Sequence, residues 1–73
     1  MKLVNSRGRV LLEVYDARTI GADVFYSWHG PGLGGYGPLV QLHRAIETVK
    51  ADAPSTRVIG LLPQTDKAPG GAR

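Results

Sequence analysis

The chain has no cysteine, so it can form no disulfide and offers no thiolate to a zinc ion. It has no apolar run approaching the length of a membrane span, and its first residues, Met1-Lys2-Leu3-Val4-Asn5, lack the apolar centre of a signal peptide. The expected compartment is therefore the cytoplasm, with no membrane partner. Basic charge is present but unclustered. Nine Lys and Arg stand against six Asp and Glu, for a net charge of +3, yet nowhere do three basic residues stand together. Counterion release grows with the number of phosphates neutralised at once, so scattered charge reads first as a solvated surface. Residues 64–73 contain no large apolar side chain and are expected to form a flexible tail.

Residues 1–63 then make one domain, because so short a chain cannot divide its apolar residues between two cores. A single core of this size supplies only about 3–5 kcal/mol. With no covalent staple, burial against a second copy is expected, and a homodimer is the natural outcome.

Alternation marks the strands. Residues 1–4 lean apolar, and residues 9–15 place Val10, Leu12 and Val14 on one side with Leu11, Glu13 and Tyr15 on the other. Asn5-Ser6-Arg7-Gly8 between them has the residues of a hairpin turn. Residues 16–23 read as a connection. In residues 22–28, Val24, Tyr26 and Trp28 share one side, opposite Phe25 and Ser27. Residues 29–38 hold five glycines and two prolines and read as a loop. Pro38 suits the first turn of a helix over residues 38–52, whose stripe is Leu39, Leu42, Ala45, Ile46 and Val49. Pro54 ends that helix, and residues 57–62, apolar on both sides, predict a last strand with some burial before Pro63. The expected fold is α+β in two layers: an antiparallel sheet of three or four strands, in the order ββ(β)αβ, with one helix on one face.

No catalytic constellation is evident. Gly32-Leu33-Gly34-Gly35-Tyr36-Gly37 fits the glycine fingerprint of a dinucleotide site, but it begins late after its strand. Pro38 removes an N–H where a phosphate would collect donors, and the acid expected about 20 residues on is missing from the end of the following strand. No Gly-Lys-Ser/Thr ending is present for a P-loop. His29 and His43 have no ligand spacing for a metal, and Ser6, Ser27 and Ser55 have no nucleophile-elbow setting. No cofactor is expected, and the chain reads as a non-enzyme.

Two features suggest binding. Leu33 and Tyr36 would project from the glycine segment, where bare backbone at Gly34 and Gly35 lets another surface approach. Tyr26 and Trp28, with His29 at the strand end, can meet a partner from an uncovered sheet, or pack beneath the helix. The principal expectation is an interaction module for a protein partner or for itself, contacting through Tyr26, Trp28, His29, Leu33, Gly34, Gly35 and Tyr36. Nucleic-acid binding by Tyr26, Trp28 and nearby Arg9 or Arg57 is the alternative. An anion or nucleotide at the glycine segment and helix N-terminus is a more distant one.

The helix end Ala45-Ile46-Glu47-Thr48-Val49-Lys50-Ala51-Asp52-Ala53-Pro54 and the turn Asn5-Ser6-Arg7-Gly8-Arg9-Val10-Leu11 resemble the corresponding segments of YegP-like domains. That resemblance implies a small ββαβ unit whose single copies pair. It implies no reaction and no catalytic residue.

Overall fold

A computed structural model describes residues 1–64. The expected tail, residues 64–73, lies outside the described residues apart from Gln64. Five strands and one helix follow in chain order: β1 (Lys2–Val4), β2 (Val10–Ile20), β3 (Asp23–Gly30), β4 (Leu33–Pro38), α1 (Leu39–Asp52) and β5 (Arg57–Ile59). The strands form one antiparallel sheet in the order β4-β3-β2-β1-β5, with α1 packed over β4, β3 and β2. The architecture is the expected α+β class, with more strand than the alternation predicts. Among the described residues, no helix is long and apolar enough to cross a membrane.

The turns follow from local chemistry. Asn5 Oδ1 accepts the backbone N–H groups of Arg7 and Arg9, each at 2.9 Å, which closes the β1–β2 turn. Gly21 opens the two-residue β2–β3 connection at φ +65°, the glycine-first arrangement that matches the twist of a hairpin. Pro31-Gly32 joins β3 to β4, with Gly32 at φ +71° as a type II turn requires after proline.

Two expectations are corrected here. Residues 16–23 are mostly strand, because β2 carries a bulge against β3. Val14 opposes Trp28 and Asp16 opposes Ser27, which leaves Tyr15 as the extra residue. Strict alternation from Leu12 and Val14 would put Asp16 and Arg18 into the core. The bulge shifts the phase by one, so Ala17 enters instead and is buried. Residues 29–38 are not a loop either: His29 and Gly30 finish β3, and Leu33–Pro38 is a paired strand. Glycine is a weak strand former alone, but β3 templates the pairing and the Trp28 indole covers Gly35, which supplies the missing packing. The ββαβ unit implied by the YegP resemblance has a short connection where this chain places β3 and β4.

Leu3, Leu12, Val14, Trp28, Leu42 and Val49 form the buried core, with Met1, Leu11, Tyr26, Ala45, Ile46 and Leu62 packed partly against it. The helical stripe thus faces the sheet, except that Leu39 in the first turn stays substantially exposed. The last strand is shorter than residues 57–62 and is not buried. All three residues of β5 are exposed, because it forms the sheet edge away from α1.

Candidate interaction surface

The helix divides the molecule into a covered and an open face. Trp28, Tyr26 and Gly35 belong to the covered side, where Trp28 is only 6% exposed. The base-stacking pair therefore lies on the covered side, Trp28 buried and Tyr26 partly buried against the core. The core-packing alternative describes Trp28, since the strand face beneath α1 is the face that must be apolar.

Residues one position out of phase line the open face. The register sets Lys2, Glu13, His29 and Gly34 in one row across β1, β2, β3 and β4. Asp16, Ser27 and Tyr36 make the next row, and Arg18, Phe25 and Pro38 the one beyond. Two aromatic contacts tie these rows together. Phe25 and Tyr36 stack with ring centroids 5.6 Å apart at an interplanar angle of 17°. Tyr15, turned out by the bulge, meets His29 edge-on at 5.0 Å. Polar contacts accompany the rings: Arg18 Nε lies 3.3 Å from Asp16 Oδ2, and His29 Nε2 lies 3.8 Å from Glu13 Oε1. Tyr15, Ile20 and Tyr36 nonetheless remain 57%, 51% and 50% exposed.

Of the residues anticipated from sequence, all seven lie on β3 and β4 but divide between the faces. His29, Gly34 and Tyr36 are on the open side, and Tyr26, Trp28 and Gly35 are under the helix. Leu33, beside the Pro31-Gly32 turn, lines a shallow depression of about 270 Å³ with Leu11, Pro31, Val49, Asp52 and Ala53. Tyr15, Phe25 and Ile20 are members of the open face that a search for glycine-borne contacts passes over. The signal for Phe25 was its position opposite Tyr26 and Trp28 in the alternation.

Among the described residues no polar or charged residue is buried, and no three potential metal ligands converge. The glycine segment does not form a phosphate cradle, since Leu33–Pro38 is paired along β3 and Pro38 caps α1 with no N–H. No protein-family model, no curated protein and no solved structure matches the chain, so the functional reading rests on its own geometry.

Proposed function

We propose that this chain is a non-enzymatic, cytoplasmic interaction module that binds protein, another copy or a different partner, through the open face of its sheet. The observation that carries the reading is the half-exposed pair Tyr15 and Tyr36, gathered with Phe25 and His29 on a face that α1 leaves bare, with half-exposed Ile20 farther along β2. Contiguous apolar and aromatic surface with polar groups around it is the composition of a protein interface. A small domain whose one helix covers one face has its largest unrealised burial on the other.

Charge favours this reading over nucleic-acid binding. The register gives the open face three acids, Glu13, Asp16 and Asp23, and three bases, Lys2, Arg18 and Arg57, with Arg18 already paired to Asp16. A face with no excess of positive charge gives a phosphate backbone little to neutralise, even though the whole chain is basic. The contact aromatics lie where the acids are.

A photo-crosslinking residue at position 36, with one at Glu47 on the exposed side of α1 as control, tests the proposal. In extracts of cells making the protein, position 36 should yield a discrete protein adduct, at twice the chain's mass or larger, and position 47 none. Absence of any adduct at 36, or equal labelling from both positions, would reject the open face as a contact surface.

A further inference from the structure

We infer that two copies of this chain pack open face to open face, about a two-fold axis crossing β2 at the Tyr15–Asp16 bulge. This rests on the open face being the interaction surface and names its occupant. The bulge is the midpoint of a self-complementary pattern. Along β2 the outward residues run Glu13, then Tyr15 and Asp16, then Arg18, so Glu13 and Arg18 are equally far from the midpoint and opposite in charge. A two-fold axis there, lying between the sheets and across the strands, brings Glu13 of each copy over Arg18 of the other. That isologous geometry forms the pair twice.

Neighbouring strands obey the same symmetry. Glu13 is in register with His29, and Arg18 with Phe25, so the axis also sets Phe25 against His29 of the second copy. Tyr36, in register with Ser27 beside the midpoint, comes near its own counterpart. Asp16, which approaches the axis, is already held by Arg18 of its own copy at 3.3 Å. The two Asp16 carboxylates at the axis are thus screened by Arg18 groups that they share with Glu13 of the facing copy. Strands of facing sheets about 10 Å apart and within about 30° of alignment allow side chains of this length to meet.

The area is modest. At about 3.4 Å per residue and about 4.8 Å between strands, each sheet residue tiles roughly 16 Å². Strands β2, β3 and β4, of 11, 8 and 6 residues, then present about 400 Å² per copy in projection, before side-chain relief adds to it. The pair approaches the roughly 1,000 Å² at which specific contacts begin. An interface of this size belongs to the weak, transient class, so a monomer–dimer equilibrium is the expected form of the association.

Sedimentation velocity on the full chain and on Glu13→Arg, Arg18→Glu and the double variant tests this. The unmodified chain should form dimers at tens of micromolar. Each single reversal, which places like charges across the axis, should weaken dimerisation at least tenfold. The double variant should recover affinity to within about threefold. Glu13→Gln and Arg18→Gln, which keep size and remove charge, should give smaller losses and hold the far-UV circular dichroism spectrum unchanged. A chain that stays monomeric to millimolar concentration overturns the inference. So does a dimer indifferent to the reversals or not rescued by the double change. Should the chain prove monomeric while position 36 crosslinks to a different protein, the second copy is the wrong occupant and the open-face reading stands.

Discussion

The indole of Trp28 occupies the space in which any side chain at Gly35 would stand: a Cβ built at Gly35 comes 2.5 Å from Trp28 Cε2 and 2.6 Å from Nε1. The two are opposite one another on β3 and β4, so glycine on the edge strand is the complement of a large ring on its neighbour. Gly35→Ala forces the buried ring to move, and overpacking of this kind costs about 1–3 kcal/mol. Next to it, a Cβ at Gly34 meets nothing closer than the Trp28 carbonyl oxygen at 3.8 Å. Gly34→Ala should leave stability within about 0.5 kcal/mol. Thermal melts followed by Trp28 fluorescence will show a large drop for the first variant and little for the second. Equal melting temperatures would mean that Gly35 is not a packing glycine.

The bulge at Tyr15 makes a prediction of opposite form. If it exists to reset the alternation, deleting Tyr15 removes the bulge and leaves Leu12, Val14 and Ala17 on the covered side. Inserting one residue after Asp16 moves Ala17 out and drives polar groups in. The deletion should fold cooperatively with a loss of about 1–2 kcal/mol, mostly from altered strand twist. The insertion should unfold a domain with only about 3–5 kcal/mol to lose. Urea titrations with circular dichroism decide the matter, and a folded insertion beside an unfolded deletion would reverse the assignment of faces.

That bulge also explains where reading the amino acids stopped short. Alternation in residues 9–15 is clean and gave a strand, but Asp16 and Arg18 fall on the apolar phase and look like the end of it. No residue preference marks Tyr15 as the extra one; only pairing with β3 does. The glycine segment failed for a related reason. Gly34, Gly35 and Gly37 have no strand preference of their own, and what holds them is a ladder to β3 and one ring from Trp28. The Asn5 turn and the α1 stripe were readable because both are local, set by residues within four positions of each other. Which side Tyr26 and Trp28 take depended on where α1 would lie, and that is settled by packing between distant segments.

Leu42 and Leu39 are three residues apart on α1, yet Leu42 is fully buried and Leu39 is 44% exposed. A stripe drawn from spacing alone gives them equal weight. Truncating a buried leucine to alanine costs about 2–5 kcal/mol through lost burial and the cavity left behind. For a core of this size Leu42→Ala should therefore leave little folded protein at 25 °C. Leu39→Ala should retain the fold, losing at most about 1 kcal/mol of partial burial. Far-UV circular dichroism at a few micromolar, where association contributes little, separates them. A well-folded Leu42→Ala would show that α1 is not anchored through that side chain.

Asn5 tests how much of the β1–β2 hairpin is written in its turn. Its side-chain oxygen accepts from both Arg7 and Arg9, while its backbone N–H donates to the Arg9 carbonyl at 2.9 Å and its carbonyl accepts from Gly8 at 3.0 Å. Asn5→Ala removes the two side-chain bonds and keeps the two backbone ones. The lost acceptor served two solvent-exposed N–H groups, which water can satisfy, so the loss should be about 1 kcal/mol rather than the sum for buried bonds. That corresponds to a fall of roughly 4–8 °C in Tm for a domain this small. Asn5→Asp keeps an oxygen in place and should recover most of it. Gly8→Ala, at φ +82° with open space around it, should cost a similar amount through backbone strain alone. The two costs have separate origins but share one turn, so the double variant should lose less than their sum once the turn has already opened. Strict additivity in calorimetry would indicate that the side-chain bonds and the positive φ at Gly8 act independently.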